Sequence, residues 1–67
     1  MLMKKNNVYF YGVRLGRAAY NGGVPCTPNF DSNYNKTLSL CPEPDKQQLF
    51  RGWLEGWRSE ILDASNW

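Results

Sequence analysis

The sequence contains no histidine and only two cysteines, Cys26 and Cys41. Histidine is the side chain that most often acts as a general base, and a structural zinc site needs four good ligands. We therefore expect no metal site and no cofactor. The two cysteines fit either a pair of unlinked thiols, as in a reducing cytosol, or a disulfide that closes the segment between them.

Long apolar runs are also missing, since no stretch approaches the roughly 20 residues that a membrane-spanning helix requires. The first five residues, Met-Leu-Met-Lys-Lys, lack the apolar core of a secretory signal. The sequence therefore predicts a cytoplasmic protein with no membrane partner.

Recognisable catalytic motifs are absent as well. The serines lack the strained turn of a nucleophile elbow, and neither cysteine has a neighbouring residue that would activate it. The first four glycines do not form a phosphate-binding loop with its lysine and hydroxyl. We expect a binding protein rather than an enzyme, with no small-molecule substrate.

Length and composition predict one small domain over residues 1–67, near the lower size at which a chain folds alone. Aromatic residues make up 15% of the chain and Ile and Val are scarce, so a few large rings must supply much of the core. The formal net charge is only +2, but residues 1–25 carry four basic residues and no acidic one. This N-terminal third is the candidate phosphate-binding region.

The most distinctive stretch is the segment Arg51–Arg58. In a helix, Trp53 and Trp57 fall in one column and Gly52 and Gly56 fall in the column beside it. Two glycines inside a helix cost about 1 kcal/mol each relative to alanine, so they indicate close approach of another backbone.

A helix over about 45–64 carries this segment. Asp45 and Gln48 fit a capping box, and Pro44 is expected to keep the preceding chain non-helical. Leu49 begins an apolar stripe that repeats every four residues and includes both tryptophans.

An earlier helix is predicted over about 9–21, after a flexible lead-in at residues 1–7. The sequence Asn21-Gly22-Gly23 is typical of a helix end. We therefore predict a mostly α fold in which the two helices pack through glycine and alanine columns. The predicted core residues of this contact are Gly12, Gly16, Gly52, Trp53, Gly56 and Trp57.

Residues 22–44 hold all four prolines and many Asn, Ser and Thr residues. This composition predicts a long irregular linker, and such a linker in a small domain is often functional or poorly ordered. The stretch Asn33–Lys36 is expected to be solvated loop.

Arginines and aromatic residues are the candidates for binding. Arginine beside an aromatic ring pairs with phosphate and stacks on unpaired bases, as RNA-binding surfaces require, but the same residues are favoured in protein interfaces. Composition does not choose between these targets. The candidate binding residues are Lys4, Lys5, Arg14, Arg17, Tyr20, Arg51, Arg58 and Trp67.

Three short stretches, Gly16–Gly22, Cys41-Pro42 and Trp53–Glu60, together resemble the ribosome modulation factor family and its small phage and plasmid relatives. The resemblance implies two helices joined by an irregular linker. For the ribosome modulation factor itself it also implies binding to the small ribosomal subunit near the 3′ end of its rRNA.

Two functions follow as hypotheses. The first is a regulator of translation that binds the small ribosomal subunit or its rRNA through its arginines and exposed rings. The second is a phage-type inhibitor or adaptor that occludes a host protein with the same two-helix scaffold, using the linker and Trp67 as contacts.

Overall fold

The computed structural model describes the backbone of residues 5–65 and the side chains of residues 7–63. These residues form three α-helices and one short 3-10 helix, with no strand among them. The helices are α1 (Lys5–Asn21), the 3-10 helix (Pro28–Phe30), α2 (Ser32–Leu40) and α3 (Glu43–Ser65). The predicted mostly α class is confirmed, whereas the predicted count of two helices is corrected to three.

Helix α1 begins at Lys5 rather than near residue 9, so residues 5–7 of the predicted lead-in are helical. Burial of Val8 in the core accounts for the longer helix, because tertiary packing overrides the weak helix propensity of the asparagines before it. The predicted flexibility of residues 1–4 lies outside the described residues.

The C-terminus of α1 is a Schellman motif. Gly23 has a φ of 84°, the amide of Val24 donates to the carbonyl of Ala19 at 2.9 Å, and the amide of Gly23 donates to the carbonyl of Tyr20 at 3.1 Å. A left-handed glycine at this position satisfies carbonyl groups that the helix end would leave unpaired. The helix therefore ends at Asn21, the residue that the sequence predicts.

Helices α1 and α3 lie side by side and run parallel. A Cβ atom placed on Gly12 would lie 2.5 Å from the carbonyl oxygen of Leu49, and one placed on Gly16 would overlap the carbonyl oxygen of Trp53. From the first contact to the second, the residue number rises by four in α1 and by four in α3, so the two helices run in the same direction. The backbones touch at these positions, and only glycine leaves room for the contact.

The glycines of α3 make the reciprocal contacts. A Cβ atom on Gly52 would overlap the carbonyl oxygen of Tyr9, and one on Gly56 would overlap that of Val13. Two glycine columns therefore face each other across the helix pair.

Parallel neighbours require the chain to return from the end of α1 to the start of α3, and α2 lies within this return segment. Asp31 caps α2 by accepting a hydrogen bond from the amide of Asn33 at 3.0 Å. Tyr34 is buried and its ring meets that of Trp53 edge-on, with centroids 6.2 Å apart. Within the predicted irregular loop over 22–44, residues 22–27 are irregular, but residues 28–30 form the 3-10 helix and residues 32–40, including the stretch Asn33–Lys36, form α2, so the prediction is corrected there.

Helix α3 begins two residues before the predicted start. Pro44 lies inside its first turn, where a proline is tolerated because the amide hydrogen it lacks would have no partner in the helix. The expected capping box is not formed: the amide of Asp45 donates to the carbonyl of Pro42 at 3.0 Å, and in the described structure the Asp45 carboxylate accepts no hydrogen bond from the amide of Gln48.

The core is small and centres on Trp53, whose side chain is fully buried beside Leu49, Val8, Ala19 and Tyr34. Because the described helices lack a sufficiently long apolar segment, none of them meets the requirements for crossing a membrane.

Candidate binding surfaces

The predicted binding residues fall into separate regions of the surface. Arg17 is held by α3, since its Nε donates to Oε2 of Glu60 at 3.0 Å and its guanidinium lies 3.8 Å from Asp63. Asn21 adds a hydrogen bond of 3.0 Å to Oε1 of Glu60. These hydrogen bonds, from Asn21 first and then from Arg17, lower the pKa of the Glu60 carboxyl. Arg17 therefore has a structural partner.

Tyr20 also contributes to the helix contact. Its ring packs edge-on against that of Trp57, with centroids 5.2 Å apart. The indole nitrogen of Trp57 donates to the carbonyl oxygen of Val24 at 2.8 Å, which ties the segment after α1 to α3. Tyr20 and Trp57 are both half-buried and pack against each other, so Tyr20 is part of the contact between α1 and α3.

Arg51 and Arg58 lie on one exposed face of α3 and line the same shallow groove, of about 350 Å³, together with Tyr9, Leu54 and Glu55. Two helical turns separate the arginines, which is a rise of roughly 10 Å. Among the described residues, neither guanidinium group has an ion-pair or hydrogen-bond partner. Two unpaired cations and an aromatic ring therefore line a common groove here.

Arg14 lines a second shallow groove on the outer face of α1, of about 280 Å³, with Asn7, Phe10 and Tyr11. No lining residue is shared with the Arg51–Arg58 groove. Lys5 belongs to α1, but its side chain is not among those described, and Lys4 and Trp67 lie outside the described residues.

A larger cleft, of about 540 Å³, lies where the start of α1, the end of α2 and the start of α3 meet. Its lining is mainly apolar, and Asp45 is the single charged residue among the described residues that form it. We call it the apolar cleft; its lining includes Val8, Tyr11, Leu40, Cys41, Asp45 and Leu49. The sequence interpretation missed this site because the cleft depends on α2, which was expected to be loop.

Both cysteines are free thiols, Cys26 exposed and Cys41 half-buried in the wall of the apolar cleft. Burial, followed by the negative charge of Asp45, raises the pKa of the Cys41 thiol. A raised pKa disfavours the thiolate, which is the reactive form of cysteine. No three Cys, Asp or Glu side chains gather as potential metal ligands in the described part of the chain.

The helical scaffold thus offers two cationic grooves, one with Arg51 and Arg58 and one with Arg14, and an apolar cleft that shares Tyr11 with the Arg14 groove. No protein-family model, curated protein or solved structure shows significant similarity to this chain.

Proposed function

We propose that this chain is a small RNA-binding regulator that attaches to the rRNA of the small ribosomal subunit and modulates translation. The observation that supports it best is the groove in which Arg51 and Arg58 stand unpaired beside Tyr9. Arginine forms paired hydrogen bonds with phosphate oxygens, and an adjacent ring can stack on an unpaired base. The resemblance to the ribosome modulation factor family points to the same target.

The spacing of the two arginines suits a single strand. They are separated by roughly 10 Å along α3, so each can reach a different phosphate of one RNA segment while a base lies over Tyr9 between them. Arg14 stands on the outer face of α1 and is positioned to add a further phosphate contact. Arg17 contributes less, because phosphate would have to compete with Glu60 for it.

Glu55 makes the proposal specific to this groove. Its carboxylate lines the groove between Arg51 and Arg58 and has no partner among the described side chains. A negative charge there repels phosphate but leaves a neutral ligand unaffected. Neutralising Glu55 should therefore strengthen RNA binding if the phosphates lie in this groove.

The experiment is co-sedimentation of the purified protein with small ribosomal subunits, together with binding to protein-free rRNA from the same subunits. We expect the wild type to bind both, and nuclease treatment to release it. Replacing both Arg51 and Arg58 by alanine should weaken binding at least about tenfold, because each lost phosphate contact removes a charge-assisted hydrogen bond.

Two single variants complete the design. Lys36→Ala removes a positive charge from the exposed face of α2, outside every groove described above, and should leave binding nearly unchanged. Glu55→Gln should bind more tightly than the wild type. The proposal is wrong if the wild type binds neither subunit nor rRNA, or if the double arginine variant binds as well as Lys36→Ala.

A further inference from the structure

The apolar cleft shares no lining residue with the Arg51–Arg58 groove, and among the described residues it shares Tyr11 with the Arg14 groove. Its volume of about 540 Å³ is within the range of sites that hold a ligand or several side chains of a partner. The cleft is a consequence of the fold, because parallel α1 and α3 bring both helix starts to the same end and α2 delivers its last turn there.

The rim of the cleft is apolar and exposed, whereas its floor is buried. Val8 and Leu49 form the floor and are almost fully buried. Leu40 and Tyr11 line the same cleft, with 85% and 41% of their surface exposed. Large apolar side chains that stay exposed around an apolar depression are typical of protein interaction sites.

Charge defines the chemistry of the occupant. Asp45 is the single charged residue in the described lining, and its carboxylate has no hydrogen-bond or ion-pair partner among the described residues. The neighbouring Lys46 pairs with Glu43 at 3.6 Å and makes no ion pair with Asp45. An apolar site with one unpaired carboxylate at its edge favours a partner with aliphatic side chains and one basic residue.

The backbone of the occupant is constrained as well. The described residues around the cleft are helical except for Cys41 and Pro42, which join α2 to α3, and they offer no strand edge to which an extended peptide could add. A helix satisfies its own backbone groups and presents only side chains, so it suits such a site better than an extended segment.

We propose that the apolar cleft docks an amphipathic helix of a partner protein, with aliphatic side chains inserted between Leu40 and Tyr11 and a lysine or arginine beside Asp45. The cleft shares no lining residue with the Arg51–Arg58 groove, so one protein can hold rRNA in that groove and a basic helix in the cleft at the same time.

The probe is a fluorescein-labelled synthetic helical peptide of about 15 residues, long enough to form a helix. It carries leucines at positions i, i+4 and i+7 with a lysine beside them, and a matched peptide has glutamate in place of that lysine. Fluorescence anisotropy should show saturable binding of the lysine peptide and at least about tenfold weaker binding of the glutamate peptide.

Variants at the rim locate the site. Leu40→Ser should weaken binding of the lysine peptide at least about tenfold. Phe30→Ser removes a comparably exposed apolar side chain outside the cleft and should leave this binding unchanged. Asp45→Asn should make the lysine peptide and the glutamate peptide bind with similar affinity. Circular dichroism should show the same helical content in all three variants, because none of the replaced side chains belongs to the buried core.

The two thiols give an internal control. A peptide in the cleft should slow alkylation of Cys41 by iodoacetamide and leave alkylation of exposed Cys26 unchanged. The proposal is overturned if the peptide fails to bind, if Leu40→Ser and Phe30→Ser behave alike, or if Cys41 is not protected. It is also overturned if the wild type is a dimer that Leu40→Ser converts to a monomer, since a second copy then fills the cleft.

Discussion

The indole nitrogen of Trp53 donates a hydrogen bond of 2.8 Å to Oδ2 of Asp31, a carboxylate that is only 6% exposed. The other oxygen of the same carboxylate caps α2 through the amide of Asn33. One side chain therefore joins the start of α2 to the centre of α3. This link fixes the return segment against the helix pair and so helps to shape the apolar cleft.

Replacing Trp53 by phenylalanine tests this link. Phenylalanine lacks the five-membered ring of indole, so the variant removes the donor to Oδ2 of the buried Asp31 carboxylate and leaves a small cavity, at a combined cost of about 2 kcal/mol or more. Urea unfolding should show this decrease in the free energy of unfolding. Trp57→Phe should lower the free energy of unfolding less, because Trp57 is half-buried and its hydrogen-bond partner is a neutral carbonyl group. Equal losses in the two variants would contradict the assigned role of Asp31.

Replacing Gly16 by alanine tests the contact between α1 and α3. The new methyl group would overlap the carbonyl oxygen of Trp53, so the helices must separate, at a cost of about 2 kcal/mol or more. In a chain of this size the melting temperature should fall by roughly 10 °C. The control is Gly22→Ala, whose methyl group would have its closest neighbour 3.4 Å away and should change the melting temperature little. A melting temperature that Gly16→Ala leaves unchanged would rule out the close backbone contact.

Glu60 should make stability depend on pH. Hydrogen bonds from Asn21 and Arg17 lower its pKa in the folded protein below the value of about 4.3 in the unfolded chain. The stabilisation is therefore fully present above the unfolded pKa and is lost as pH falls through the folded pKa. Glu60→Gln should lower the melting temperature at pH 7, and the difference from the wild type should shrink below about pH 4. Glu55→Gln is the matched control, because the Glu55 carboxylate has no partner among the described side chains. A Glu60→Gln difference that stays constant with pH would contradict the assignment.

The sequence was informative where local patterns determine structure. The end of α1 follows from Asn21-Gly22-Gly23, and the long apolar stripe around Trp53 identifies α3. Such signals depend on a few neighbouring residues, so they can be read without knowledge of the fold.

The sequence was misleading where tertiary contacts determine structure. Nothing in a pair of glycine columns specifies whether the helices run parallel or antiparallel, and the need for a return segment follows only from the parallel arrangement. Helix α2 is rich in residues that favour turns, and its order depends on the cap at Asp31 and on burial of Tyr34. The apolar cleft could not be predicted without α2.

The candidate binding residues show the same division. Composition identifies the arginines but not their partners. The ion pair between Arg17 and Glu60 joins residues far apart in sequence, whereas Arg51 and Arg58 are left unpaired among the described residues. Only the structure separates the cation that supports the fold from those available to a ligand.

The salt dependence of rRNA binding tests the central claim most directly. For single-stranded RNA, the logarithm of the affinity should fall linearly with the logarithm of the salt concentration, with a slope of about 0.7 per phosphate contacted. We predict a clear negative slope for the wild type and for Lys36→Ala. When Arg51 and Arg58 are both replaced by alanine, the slope should be shallower, with its magnitude reduced by about 1 to 2. An affinity that does not change with salt, or a double variant with the wild-type slope, would contradict RNA binding through this groove.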